Sequence, residues 1–159
     1  VIHADVTPSN ALVDASTGTR VKLVDFGLAE LISERVDDGI ASVVLGTPAY
    51  ISPEQIRGLP PTEKSDQYSL GAVIFEMVAG VPPFNARDVR ELCMQHLEGV
   101  VPELTSSHGP LPAGLSELVS TCLQKSPASR FPSMRALLAA LEQVGDVAGR
   151  QGWQRWLRR

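Results

Sequence analysis

Between Asp66 and Ala79 the chain is apolar on nearly every face, with Tyr68, Leu70, Val73, Ile74, Met77 and Val78 distributed around the helical repeat. A helix of that kind is not a surface helix, so it must be the buried centre of a domain. Gly80 and then Pro82-Pro83 end it, because glycine takes the left-handed turn past a helix end and proline cannot continue the ladder. Two more apolar stripes at helical spacing follow: Leu115, Leu118, Val119, Cys122 and Leu123, then Met134, Leu137, Leu138, Leu141 and Val144. A shorter, polar-faced helix is expected over Ala86–Leu97, and the stretch beyond it, with Gly99, Pro102, Gly109, Pro110 and Pro112, reads as a loop. Near the N-terminus, Leu12-Val13 and Arg20 to Val24 read as short strands joined by the polar turn Asp14-Ala15-Ser16-Thr17-Gly18. The expected fold is mainly α with a small β-hairpin region, an α+β arrangement. With 159 residues, 43% of them hydrophobic, the chain can bury a substantial core. No repeat or low-complexity stretch divides it, so residues 1–145 are read as one domain and 146–159 as a tail.

Two polar segments flank the hairpin: His3-Ala4-Asp5-Val6-Thr7-Pro8-Ser9-Asn10 before it and Val24-Asp25-Phe26-Gly27 after it. They put three metal- and proton-handling side chains, Asp5, Asn10 and Asp25, at two loop positions. Transfer of a γ-phosphoryl group depends on in-line positioning and on cations that absorb charge on the phosphate oxygens. Mg²⁺ serves that purpose with one or two protein oxygens and retained water, and Asp25 with the side-chain carbonyl of Asn10 could supply them. Asp5 would then orient the attacking hydroxyl. Either segment alone is weak, since Asp and Asn beside proline are ordinary turn residues. Their order is informative, because Gly46-Thr47-Pro48-Ala49-Tyr50-Ile51-Ser52-Pro53-Glu54, Asp66-Gln67-Tyr68-Ser69-Leu70-Gly71 and Arg130 follow in turn.

On these landmarks the chain, from Val1 to about Val144, resembles the C-terminal lobe of a bacterial-type serine/threonine protein kinase. The resemblance implies that Asp5 is the catalytic base, that Asn10 and Asp25 bind Mg²⁺, and that Leu12 lies under the adenine of ATP. It makes Thr47 the hydroxyl that bridges toward the catalytic Asp in enzymes specific for Ser and Thr. The segment from Leu28 to Ile51 becomes the activation loop, with Ser33, Ser42 and Thr47 as hydroxyls open to phosphorylation. His3, Glu54, Asp66 and Arg130 become structural residues: Glu54 pairs with Arg130 in a buried ion pair, and Asp66 accepts hydrogen bonds from the catalytic-loop backbone. Asp66 also reads as a helix N-cap, and the two roles can coexist. Implied partners are ATP and a protein substrate with Ser or Thr hydroxyls.

Three departures qualify the likeness. Ala4 stands where many kinases carry an arginine that grips an activation-loop phosphate, so bidentate phosphate recognition is lost there. Thr7 stands where a lysine usually contacts the γ-phosphate, replacing a cation by a hydroxyl at a catalytic position. No G-x-G-x-x-G occurs in the chain, so the half of the nucleotide cleft formed by a Gly-rich loop, a strand Lys and a helix Glu is not among these residues. The sequence therefore supports a kinase assignment, with the 159 residues alone expected to show little activity, and a second reading as an inactive kinase-like lobe that serves as an interaction module.

A net charge of −4 and a pI near 5.3 disfavour nucleic acid as a partner. Cys93 and Cys122 fall on separate expected helices without metal-ligand spacing and read as reduced thiols, with a disulfide as the minor alternative. No signal peptide or run of about 18 apolar residues is present, which suits a cytoplasmic location and leaves a membrane anchor elsewhere in a longer protein open. The tail from Gly149 to Arg159 concentrates four arginines and both tryptophans, a composition that suits packing onto the domain or weak contact with a membrane surface.

Overall fold

The computed structural model describes residues 1–14, 20–26, 48–106 and 109–144. Thr47, Ser33, Ser42 and the tail 146–159 lie outside the described residues, as does most of the expected activation loop. Strand β1 (Ala11–Val13) pairs antiparallel with β2 (Val21–Leu23), placing Ala11 opposite Leu23, Leu12 opposite Lys22 and Val13 opposite Val21. Five helices follow: α1 (Pro53–Ile56), α2 (Glu63–Ala79), α3 (Val89–Glu98), α4 (Leu115–Cys122) and α5 (134–144).

Helix α2 starts three residues before Asp66. The Thr62 hydroxyl accepts from the Lys64 N–H at 3.2 Å, and the Ser65 hydroxyl accepts from the Thr62 N–H at 3.0 Å, a reciprocal cap that satisfies donors at the helix start. Asp66 is therefore inside the first turn and not its cap, which corrects the N-cap reading. At the other end Gly80 takes φ 79°, and its N–H closes onto the Glu76 carbonyl at 2.7 Å.

The buried face of α2 is the stripe Tyr68, Ala72, Phe75 and Val78, packed against Leu115, Leu118, Val119 and Cys122 of α4, with Leu123 and with Leu137 of α5. Gly71 brings α2 and α4 together: a Cβ on it would come within 2.5 Å of the Cys122 Cβ. The helix is less enclosed than its all-round apolarity suggested. Leu70, Val73 and Ile74 are half-buried and Met77 is exposed, because the described elements cover one side of it.

Helix α3 begins at Val89, later than expected, because the Asp88 carboxylate takes the Arg90 N–H at 2.7 Å and fixes the start there. Cys93 and Cys122 are both buried and both free, so no disulfide links them. Among the described residues no helix is long and apolar enough to cross a membrane.

Candidate active site

The segment preceding the hairpin is pinned to α2 through its backbone. Asp66, 5% exposed, accepts the His3 N–H at 2.9 Å on one carboxylate oxygen and the Ala4 N–H at 2.7 Å on the other. Ala4 sits at φ 65°, a left-handed conformation that costs a residue with a Cβ about 1–2 kcal/mol. Its carbonyl is held as well, accepting from Gln55 Nε2 of α1 at 2.8 Å. Both polar groups of the strained residue are thus anchored by side chains from the helical body, and Asp5 follows directly.

His3 is buried and its ring joins the two polar segments. The Asp5 N–H donates to Nδ1 at 3.3 Å, so Nδ1 is the unprotonated nitrogen and Nε2 carries the hydrogen that reaches the Val24 carbonyl at 2.9 Å. The Phe26 ring lies 4.4 Å from the imidazole, centroid to centroid. Asp25, between Val24 and Phe26, takes φ 59°, a region aspartate tolerates better than most residues. The Val24 N–H in turn donates to the Asn10 carbonyl at 3.0 Å.

A short 3-10 turn, Pro8–Asn10, delivers Asn10. Its Nδ2 donates to the Asp5 carbonyl at 2.9 Å and to the Asp5 carboxylate at 2.7 Å. With both amide hydrogens spent on Asp5, the amide oxygen is the atom left for a hard cation. Thr7 is 3% exposed; its hydroxyl accepts from the Asn10 N–H at 3.3 Å and shares a 2.9 Å hydrogen bond with Ser9. That side chain caps the turn that carries Asn10. Leu12, on β1, is 55% exposed.

Behind the loop lies the ion pair of Glu54 and Arg130. The guanidinium grips the carboxylate in a fork, Nη1 to Oε1 at 2.7 Å and Nη2 to Oε2 at 2.9 Å. Its remaining hydrogens go to the carbonyls of Gln124, Lys64 and Lys125 at 2.8, 2.7 and 3.3 Å. The Ser65 hydroxyl adds a bond to Glu54 Oε1 at 2.8 Å. Burial alone would lift the Glu54 carboxyl, but the Arg130 hydrogen bonds and charge, its own backbone N–H and Ser65 together hold it below its usual value. Because every guanidinium hydrogen is used, the pair fastens α1 to the start of α2 and to the segment before α5.

Gln55 and Ser65 did not emerge from the sequence as site residues, although a signal for each was present. Ser52 followed three residues later by Gln55 is a capping-box pattern, and Thr62 with Ser65 is a weaker version of it. Neither pattern says which distant groups the capping side chains also reach.

For a metal, the described residues hold no group of three or more His, Cys, Asp or Glu side chains suited to one. Zinc chemistry therefore has no donor set among them. One carboxylate and one amide oxygen on neighbouring loops fit a magnesium ion that keeps its water and takes phosphate oxygens.

This combination of a helical body, a two-stranded hairpin and paired polar loops is that of a protein kinase. The protein kinase domain family matches residues 1–140, and the chain belongs to it. Its relatives include the serine/threonine-protein kinase PknL of Mycobacterium tuberculosis, 34% identical over 146 residues, which span 92% of this chain and 36% of the relative. Also similar are PknB of M. tuberculosis, 36% identical over 146 residues (91% of this chain, 23% of the relative), and PknB of Mycobacterium leprae, 34% identical over 145 residues (91% and 23%). By family, then, the chain is a protein serine/threonine kinase sequence that spans about a quarter to a third of the length of these relatives.

Proposed function

We propose that residues 1–145 are the catalytic-loop lobe of a protein serine/threonine kinase that moves the γ-phosphate of ATP to a Ser or Thr hydroxyl of a protein. Asp5 takes the proton of the attacking hydroxyl. Asn10 and Asp25 are the residues that would hold Mg²⁺, which when bound neutralises charge on the phosphate oxygens. Leu12 offers apolar surface to the adenine, and Thr47 sets the preference for Ser and Thr. Thr7 contributes by capping the turn that carries Asn10, and His3, Asp66, Glu54 and Arg130 hold the frame. Nucleic acid has no place in this reading, the lobe works on the cytoplasmic side in a full-length protein that could be membrane-anchored, and the basic tail supplies at most weak contact with a membrane surface.

The observation that carries the reading is the Asn10 side chain: its nitrogen is locked to Asp5 by two bonds, so its oxygen is reserved for the cation and the base and the metal ligand are oriented together. The buried Thr7 hydroxyl favours a second reading, an inactive lobe that binds partners, because no cation stands at that position. Asp25→Asn in the whole protein discriminates. The kinase reading expects Mg²⁺-dependent transfer of phosphate from ATP to a protein acceptor, reduced at least about a hundredfold by the substitution, since the charge-bearing ligand is lost. Transfer that survives the substitution unchanged would sink the proposed metal site. Absence of any transfer or Mg²⁺-ATP binding by the whole wild-type protein would favour the inactive lobe.

A further inference from the structure

Gln55 makes contacts at both ends of its amide, and they point in opposite directions along the chain. Its Oε1 accepts the Ser52 N–H at 3.2 Å and the Ser52 hydroxyl at 2.8 Å, while its Nε2 donates to the Ala4 carbonyl at 2.8 Å. The orientation of the amide is dictated by its partners. A backbone N–H can only donate and a carbonyl can only accept, so a flipped amide would set donor against donor at Ser52 and acceptor against acceptor at Ala4. The residue is 5% exposed, so water cannot replace either contact freely.

From these contacts we infer that Gln55 is a positioning residue for Asp5: it transmits the placement of the Ser52-Pro53-Glu54 corner to the backbone of Ala4, and so fixes the direction in which Asp5 leaves the loop. Ala4 is the residue where such control has most effect. At φ 65° it is strained, and a strained residue keeps its conformation only where its surroundings over-determine it. Asp66 secures its N–H and Gln55 secures its carbonyl, so the peptide plane between Ala4 and Asp5 is held from the Gln55 side. The Ser52 hydroxyl takes part in this. A residue without it would leave only the longer backbone bond at the Oε1 end of the amide, which gives a physical reason for serine at this position. Because Glu54 is locked to Arg130, the corner from which Gln55 reaches is itself fixed to the helical body.

The inference rests on the kinase reading for its catalytic consequence and on the geometry alone for its mechanical one, so the test measures both. Gln55→Glu is nearly isosteric and keeps an oxygen for Ser52, but sets an oxygen against the Ala4 carbonyl. In the whole protein, with ATP and casein as acceptor, it is expected to lower kcat about tenfold while leaving both KM values within about threefold. The backbone amides of Ala4 and Asp5 are expected to exchange hydrogen about tenfold faster, with amides of α4 unchanged. Ser52→Ala, which introduces no charge, is expected to act in the same direction and less strongly, and it carries the test if Gln55→Glu does not fold. Unchanged exchange at residues 4 and 5 in a folded variant overturns the inference, whether or not kcat falls. If the wild-type protein transfers no phosphate, the kinase reading fails and the exchange rates still decide the role of Gln55.

Discussion

The helical body and the hairpin region are held by different forces. Where α2 meets α4 the packing is apolar and the close approach at Gly71 admits no side chain, so stability there comes largely from area removed from water. Among the described residues up to 26, the apolar side chains of the hairpin stand largely in solvent, with Val13 58% and Val21 61% exposed, and the buried residues are Val6 and the polar His3, Thr7 and Asn10. Order in this region comes from its own hydrogen bonds and from the anchors that Asp66 of α2 and Gln55 of α1 supply. The lesson is a division of labour. Weakening the α2–α4 packing is expected to affect stability more than the site's internal geometry, whereas losing single hydrogen bonds to the loop is expected to affect its order more than the stability of the body.

The sharpest way to break this comparison is at the junction. Arg130→Ala leaves the Glu54 carboxylate buried without its partner and is expected to cost about 3–5 kcal/mol, read as a lowered denaturation midpoint. A loss below about 1 kcal/mol would mean the fork does not fasten the body.

Acid should act on the body next. His96 is fully buried, its Nδ1 bonded to the Tyr68 hydroxyl at 2.9 Å, and burial, followed by the nearby Lys125 ammonium, pushes its pKa from 6.5 down to about 3. Folded protein therefore refuses a proton that the unfolded chain accepts. Stability is full above pH 6.5 and falls by about 1.4 kcal/mol per pH unit as pH drops from there toward 3. The lowered Glu54 carboxyl works in the same direction, but only below its unfolded value of 4.5. His96→Gln should flatten the limb between pH 6 and 4.5, and a limb as steep as that of the wild type would show that another group controls it.

Asp66→Asn sharpens the comparison from the other side. Its amide group would face one of two backbone donors, leaving the His3 or Ala4 N–H unpaired at a cost of about 1–3 kcal/mol. We expect faster amide exchange at residues 3 to 5 and lower kcat, with little change in the exchange of α4. Uniform loss of protection across α4 would erase the distinction between the regions. The smallest effect is expected at Val13→Thr, an exposed strand position, where the change in stability should stay within about 0.5 kcal/mol.

How far the sequence disclosed this arrangement depended on the range of the contacts. The hairpin and the stripes of α4 and α5 were readable because their periodicity is local. The start of α2 lies upstream of its apolar stripe and is hard to read locally, because its cap uses Thr62 and Ser65 without the usual Glu or Gln at the third position. Glu54, Arg130 and Asp66 were reached through family resemblance, not through spacing, since their contacts cross more than sixty positions. Gln55 had no such guide: its bond to Ala4 spans 51 positions, and nothing in either segment advertises the other. Thr7 stands where a lysine usually contacts the γ-phosphate, and the cap its hydroxyl makes to the Asn10 N–H is a local contact that the spacing alone does not announce.

The central claim is that this pinned loop is a phosphoryl-transfer site, and it is tested most directly by comparing ATP-dependent phosphorylation of a protein acceptor by the whole protein and by its Asp5→Asn variant. Asparagine can still meet Asn10 but cannot accept the hydroxyl proton, so the account predicts a fall in kcat of about a hundredfold to ten-thousandfold with the fold intact. Equal rates for the two proteins would contradict it.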